Sequence, residues 1–268
     1  MTPASGEPGI VVAEADAVPG MAADSIVRAL VAAVDARGVA HWATTGGSNP
    51  AAVYRELLRP GRRDLVAWES VHVWWGDDRY VPRDDPLSNV RAVDQILVHD
   101  GLLQDAGGPA TGLPIPFDHL HPFRTEESLG EGRDAAYCAA ALADELAAIG
   151  PPSPGGWPIF DLVFLGIGAD GHVLSVFPGS AAFDAEGWAM AIPPPTHIEP
   201  HVERVTMNPA IIGVARDVLV VATGAAKAAV LAEILGPVRE PRRWPAQLAR
   251  HERATWILDT EAAALLSG

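Results

Sequence analysis

The sequence is poor in cysteine and in long apolar runs, and both absences limit what the protein can be. Its one cysteine, Cys138, cannot close a disulfide within the chain, and the apolar helical pattern around it favours a buried free thiol over a nucleophile. Glycine, proline or charge interrupts the apolar runs well short of the about 18 residues that span a membrane. The N-terminus lacks the basic start and apolar stretch of a secretory signal. We therefore expect a cytoplasmic protein with no membrane partner.

Positive charge is also scarce, and arginine supplies almost all of it. The formal net charge is -15, and of the 19 basic residues 18 are arginine and one is lysine, Lys227. Such an acidic molecule repels a phosphate backbone, so nucleic acid is not an expected partner, and an anionic ligand needs a local cationic site. The single lysine suggests a position that requires a compact ammonium group, with a chance survivor on a solvated helix face as the alternative.

Short apolar segments alternate with amphipathic helical ones, and 49% of the residues are hydrophobic. This alternation predicts an α/β fold, a Rossmann-like doubly wound and mostly parallel sheet with helices on both faces. Strands are predicted at residues 10–13, 39–44, 71–75, 162–166, 218–222 and 254–258, and helices at 22–36, 50–58, 89–97, 133–149 and 225–235. Loops are predicted at the proline-rich or glycine-rich segments 107–116, 151–158 and 192–200. One domain over residues 1–268 is the simplest interpretation.

Ligands of open α/β sheets bind at the carboxyl ends of the strands, and four polar, glycine-containing segments follow predicted strands. The first is T-T-G-G-S-N-P, where the backbone N–H groups of Gly46, Gly47 and Ser48 would form an anion site at a helix N-terminus. A plain strand-to-helix turn is the alternative for this segment.

The second segment, W-W-G-D-D-R-Y, places acidic residues and an arginine after the third strand. The guanidinium of Arg79 would bind a phosphate or carboxylate, with Asp77 or Asp78 holding it in place. A structural Asp–Arg pair that closes the loop is the alternative.

The third segment, G-I-G-A-D-G-H, presents Asp170 and His172 two residues apart after a buried strand. Histidine is the side chain best suited to accept a proton near neutral pH, although a lone histidine is more often structural. The fourth, T-G-A-A-K, places Lys227 in the first turn of a helix, where the helix dipole disfavours a cation. A bound anion there would explain the lysine.

In this order and spacing the four segments resemble the 6-phosphogluconolactonase family, which is related in fold to glucosamine-6-phosphate deaminases. The resemblance spans about residues 39–235. It implies a Rossmann-like core, no metal or other cofactor, and hydrolysis of 6-phospho-D-glucono-1,5-lactone to 6-phosphogluconate in the oxidative pentose phosphate pathway. On this basis we expect His172 to act as the base on water, Asp170 to orient its ring, and the substrate, a small phosphorylated sugar lactone, to be bound by Gly46, Gly47, Ser48, Asp77, Arg79 and Lys227.

The sequence leaves two other functions open. Deaminases share the fold and the histidine turn, but they resemble Asp-Glu-Tyr where this chain has Arg79 as the third residue, and they carry a glutamate where Phe177 stands. A non-catalytic sugar-phosphate-binding protein would keep the anion site and lose the histidine turn, which is present here. We expect a monomer or weak homodimer.

The other close histidine pairs, His119 with His121 and His197 with His201, lie in proline-rich loops. No cysteine or carboxylate accompanies either pair at a spacing typical of zinc ligands, so we expect no metal site.

Overall fold

The structure is a computed structural model that describes residues 6–98 and 112–266, so residues 107–111 of the predicted loop at 107–116 lie outside it. The strands are β1 (Gly9–Ala13), β2 (Ala40–Thr44), β3 (Val71–Trp75), β4 (Asp77–Arg79), β5 (Leu120–His121), β6 (Leu162–Leu165), β7 (Ala189–Ile192), β8 (Arg204–Met207), β9 (Asp217–Ala222) and β10 (Ala254–Asp259). Seven of them form a parallel sheet in the order β1-β10-β9-β6-β2-β3-β5. The six predicted strands are all in this sheet.

Helices cover the sheet because their apolar faces need a partner. They are α1 (Val18–Arg37), α2 (Ser48–Leu57), α3 (Pro60–Arg63), α4 (Val90–Ile96), α5 (Thr125–Gly130), α6 (Ala135–Ile149), α7 (Ala210–Val214) and α8 (Ala228–Leu235). The helix predicted at 225–235 begins as a 3-10 turn, Ala225–Lys227, before α8. Helix α1 packs across β2, β6, β9 and β10. Cys138 is fully buried in α6, as predicted, and burial raises the pKa of its thiol to about 11.

A second, smaller sheet was not predicted. It is antiparallel, in the order β4-β8-β7, and β4 follows β3 after one residue. The register places Arg79 of β4 directly opposite Arg204 of β8. The small sheet therefore brings together two arginines that are far apart in the sequence.

The large sheet has its topological switch point between β2 and β6. From β2 the chain adds β3 and β5 on one side, and from β6 it adds β9 and β10 on the other. The turns that leave β2 and β6 diverge there and open a crevice at the carboxyl edge. No helix in the described part of the chain is both long enough and apolar enough to cross a membrane.

Candidate active site

A cavity of about 330 Å³ lies at this switch point. Its lining contains five of the predicted site residues, namely Gly46, Asp77, Arg79, His172 and Lys227. A larger groove beside β1 is lined by apolar side chains and Thr260, and none of its lining residues is titratable. The smaller cavity is therefore the better candidate for chemistry.

His172 and Asp170 form a hydrogen-bonded pair in the turn after β6. The imidazole Nδ1 lies 2.6 Å from Asp170 Oδ1, and the backbone N–H of His172 donates to the same oxygen at 3.2 Å. Burial raises the pKa of Asp170, but hydrogen bonds and charge from His172, followed by a hydrogen bond from His197, outweigh it and hold the pKa well below the usual range. Because the carboxylate is ionised and can only accept, Nδ1 of His172 carries the proton and Nε2 is the free nitrogen.

The turn itself is shaped by Gly168. Its N–H donates to the carbonyl of His172 at 2.9 Å, which closes the turn. A Cβ on Gly168 would overlap His172 Nδ1 and lie 2.7 Å from Asp170 Oδ1. Glycine is therefore required where the backbone passes the imidazole–carboxylate pair.

Arg79 reaches the cavity from β4, but its predicted partners are wrong. The guanidinium Nη1 donates to the carbonyl of Leu87 at 2.6 Å, whereas Asp78 accepts from the backbone N–H of Arg79 at 2.8 Å. Asp78 is buried and also accepts from the backbone N–H of Asn89, and burial raises its pKa to about 7. This carboxylate joins β4 to the start of α4 and does not hold the guanidinium.

Asp77 lines the cavity with its carboxylate fixed from two sides. Ser175 Oγ donates to Oδ2 at 2.6 Å, and Asn89 Nδ2 donates to Oδ1 at 3.3 Å. A Cβ on Gly46 would overlap the Asn89 side chain, so glycine allows the loop after β2 to pack against it. Asn89 Nδ2 also donates to the backbone carbonyl of Asp77 at 2.9 Å, and its side chain makes no cap on α4.

Arg204 also lines the cavity, and the sequence did not predict it as a site residue. It is 2% exposed, its Nη2 donates to the carbonyl of Pro200 at 3.2 Å, and its guanidinium lies 5.4 Å from the centre of the Phe177 ring. Burial, and then the charge of Arg79, lower its pKa. Within residues 6–98 and 112–266, the buried Nε atoms of Arg79 and Arg204 have no hydrogen-bond partner.

Lys227 completes the cationic wall from the start of α8. Its Nζ donates to the carbonyl of Ile167 at 2.8 Å, in the turn that also carries His172. Burial lowers the pKa of this ammonium group, and Asp170 acts in the opposite direction. The lysine thus points at the same turn as the proposed base.

The predicted anion loop lies beside these cations. Gly46 is in the cavity wall, Gly47 precedes α2, and Ser48 is its first residue. The N-terminus of α2, with its free N–H groups, therefore lies at the carboxyl edge of β2. Gly47 and Ser48 are neighbours of the cavity and are not part of its wall.

His197 approaches Asp170 from the proline-rich loop before β8. Its Nε2 lies 2.7 Å from Asp170 Oδ2, the oxygen that His172 does not use. Nothing in the sequence indicated this contact, because the two residues are 27 positions apart. Across the described ranges, no group of three or more histidine, cysteine, aspartate or glutamate side chains has an arrangement that would hold a metal ion.

Comparisons with known proteins show the family of the chain. The family of glucosamine-6-phosphate isomerases/6-phosphogluconolactonase matches residues 13–257. A 6-phosphogluconolactonase of Mycobacterium tuberculosis is 32% identical over 257 residues, which cover 94% of this chain and 96% of that one. The solved 6-phosphogluconolactonase from Trypanosoma brucei has a TM-score of 0.81 at 30% identity, covering 98% of this chain and 100% of that one.

A monomeric glucosamine-6-phosphate deaminase is similar in fold alone, with a TM-score of 0.72 at 16% identity over 96% of this chain and 99% of that one. The doubly wound fold is thus common to both branches of the family. The match of the family to most of the chain, together with the similarity to full-length relatives, shows that this chain belongs to the glucosamine-6-phosphate isomerase/6-phosphogluconolactonase family.

Proposed function

We propose that the protein hydrolyses 6-phospho-D-glucono-1,5-lactone to 6-phospho-D-gluconate, the lactonase step of the oxidative pentose phosphate pathway. The observation that carries this proposal is the Asp170–His172 pair on a cavity whose wall holds three cationic side chains, from Arg79, Arg204 and Lys227. The relatives named above support the same reaction. The proposal takes the chain as a single domain that acts in the cytoplasm on a small phosphorylated lactone.

The proposed chemistry begins at Nε2 of His172. This nitrogen accepts a proton from water while the water oxygen bonds to the lactone carbonyl carbon, and Asp170 stabilises the imidazolium that forms. The tetrahedral intermediate then collapses. The bond between the carbonyl carbon and the ring oxygen breaks, and the imidazolium returns its proton to that oxygen. The product acid ionises and releases one proton to solvent.

The phosphate would be bound on the cationic side of the cavity. Arg79 and Arg204 lie opposite each other across two strands, and like charges in that position are unfavourable unless an anion lies between them. The guanidinium groups of the two arginines, the ammonium group of Lys227 and the N–H groups of Gly46, Gly47 and Ser48 would provide donors for a dianion. Arg204 is an addition to the residues predicted from the sequence.

The deaminase alternative has less support from the site. The ring of Phe177 lies 4.7 Å from the ring of His172, where the deaminase pattern would place a glutamate. An aromatic side chain supplies no group for proton transfer during ring opening. A binding protein without activity would also not require the tightly bonded Asp170–His172 pair.

The test is replacement of His172 by asparagine, which removes the free Nε2 and keeps a polar group. We expect kcat on fresh lactone to fall by about 10²–10⁴-fold, the usual contribution of a general base, while calorimetry shows 6-phosphogluconate still bound. Turnover is followed by proton release above the spontaneous rate, with glucosamine 6-phosphate as a parallel substrate. Near-normal lactone turnover in the variant would disprove the role of His172, and deamination by the wild-type protein would favour the alternative.

A further inference from the structure

Asp170 is bonded to a histidine on each of its two carboxylate oxygens. Oδ1 accepts from His172 at 2.6 Å and Oδ2 from His197 at 2.7 Å. Because an ionised carboxylate donates no hydrogen bond, Nε2 of His197 must carry a proton, as Nδ1 of His172 does. The three side chains form one continuous hydrogen-bonded chain, and its far end is on a different loop from the turn that carries His172.

The loop that carries His197 is held against the cavity at three places. Ile198, the next residue, is part of the cavity wall, and the carbonyl of Pro200 accepts from Arg204. The ring of His197 also packs edge-on against Phe177 at 5.7 Å, and Phe177 in turn packs against His172. A displacement of His197 would therefore change the contacts of both the Asp170 carboxylate and, through Phe177, the ring of His172.

We propose that His197 is a positioning residue for the lactonase reaction, which fixes the second oxygen of Asp170 and competes with His172 for the charge of that carboxylate. The inference rests on the proposed function. His197 does not line the cavity, so it acts through its contacts with Asp170 and Phe177 and not on the substrate itself. Two hydrogen bonds on opposite oxygens leave the carboxylate one orientation, and the imidazole of His172 is aimed accordingly.

The competition has a defined sign. A donor on Oδ2, still more a protonated one, draws negative charge away from Oδ1 and reduces the stabilisation of the His172 imidazolium. Loss of His197 therefore lets the carboxylate hold a proton on His172 up to higher pH. The acid limb of the pH dependence of kcat/KM then moves to higher pH.

The charged groups around the hydrogen-bonded side chains of His172, Asp170 and His197 are the same in the wild type and in a protein in which only His197 is replaced. Asp170 also interacts with Lys227 and Arg204, and His197 itself is 48% exposed at its side chain. On the His197 loop, Glu199 pairs with His201 at 3.1 Å and not with His197. None of these side chains is changed when His197 alone is replaced.

The experiment compares His197→Phe, His197→Gln and His201→Asn with the wild-type protein. Phenylalanine keeps a ring against Phe177 but removes the donor, and glutamine restores an uncharged N–H donor of similar reach. His201→Asn is the control, because His201 belongs to the same loop, is 47% exposed at its side chain and bonds to Pro195 and Glu199. It disturbs the loop without touching Asp170.

For His197→Phe we expect kcat to fall about tenfold, the factor for one lost hydrogen bond to a charged group, with KM within about twofold. The acid limb should move up by several tenths of a pH unit. His197→Gln should recover most of kcat, and His201→Asn should match the wild type in both kcat and pH profile. Equal kcat and pH profile in His197→Phe and wild type would overturn the inference, as would an equal loss in His201→Asn.

A second measurement needs no turnover and separates this inference from the proposed function. The ring of His172 is titrated by NMR in the wild type and in His197→Phe, without substrate. A higher midpoint in the variant supports the competition for Asp170 even if the lactone proves not to be the substrate, and an unchanged or lower midpoint overturns it. Failure of the wild type to open the lactone instead contradicts the proposed function.

Discussion

Gly168 controls how closely the backbone can pass the Asp170–His172 pair. We predict that Gly168→Ala folds but loses about 100-fold in kcat, because the new Cβ would occupy the position of His172 Nδ1 and push the ring out of line by about 1 Å. Steady-state kinetics on fresh lactone with a circular dichroism spectrum of the variant would test this.

Gly213 gives the matched control for that substitution. It lies in α7, and a Cβ built there meets no atom within 4 Å. We expect Gly213→Ala to keep wild-type kinetics and stability. A folded Gly168→Ala protein with wild-type kcat would show that the tight turn is not needed to aim the imidazole.

At the residue scale, the sequence predicts those site residues that come shortly after a strand end. It does not predict those that reach the site from a distant part of the chain. His172 and Lys227 come within a few residues of the ends of β6 and β9, so their position at the carboxyl edge follows from strand prediction alone. Arg204 and His197 reach the site from β8 and the loop before it. Their approach depends on an antiparallel pairing with β4 that no local pattern encodes.

At the scale of elements, the pairing of β4 with β8 places two guanidinium groups together at a cost to the unliganded fold. Arg204 is buried, and Arg79 faces it across the ladder. We predict that Arg204→Met raises the melting temperature of the free protein by about 2–4 °C, since relief of about 1 kcal/mol has that effect in a chain of this size. Scanning calorimetry without ligand would measure it.

The same substitution should weaken ligand binding. Saturation of the wild type at 100 times Kd with 6-phosphogluconate stabilises it by about 2.7 kcal/mol, and Arg204→Met should lose most of this at the same concentration. Replacement of Arg242 by methionine is the control. Its guanidinium also lies against a phenylalanine ring, 5.5 Å from the centre of Phe183, but on the surface. Two results would contradict this prediction: a lower melting temperature for Arg204→Met than for wild type, or equal stabilisation of both proteins by the ligand. Either would mean that the arginine pair is not an anion site that destabilises the unliganded protein.

The elements themselves differ in how far a sequence can predict them. The six predicted strands are four to six residues long and densely apolar, and they lie in the parallel sheet. β4 and β5 have three and two residues, and β4 reads Asp-Asp-Arg, so neither carries a strand pattern. These short strands exist because of their partners, which is why the small sheet and its arginine pair could not be predicted.

At the scale of the whole molecule, four histidines form a cluster on the sheet, defined by His41, His72, His119 and His121. His72 Nδ1 lies 2.9 Å from His121 Nε2, and the ring of His72 stacks on that of His119 at 3.9 Å. Trp74 Nε1 donates to His41 Nδ1 at 3.2 Å, so that nitrogen is unprotonated. A proton on His41 or His72 would place a positive charge against neighbouring imidazole rings.

Burial first, and the other histidines next, lower the pKa of His41 and of His72 to about 4. In the unfolded chain each of these two histidines binds a proton near pH 6.5, whereas in the folded protein each binds it only near pH 4. Unfolding thus binds more protons in this window, and the free energy of unfolding falls as pH decreases through it. Above about pH 6.5 neither state is protonated and the full stability is retained.

We predict that His72→Gln loses less stability than wild type between pH 7 and pH 5, by about 1 kcal/mol, as urea denaturation at the two pH values would measure. Glutamine keeps a polar partner for His121 and removes the titrating ring. Asp78, whose burial raises its pKa to about 7, favours the folded state as pH falls, but it is the same in both proteins and cancels from the comparison. An identical pH dependence in the two proteins would mean that His72 titrates alike in the folded and unfolded chains. The acid sensitivity of the free energy of unfolding would then have to come from other groups, and His41 would be the next residue to replace.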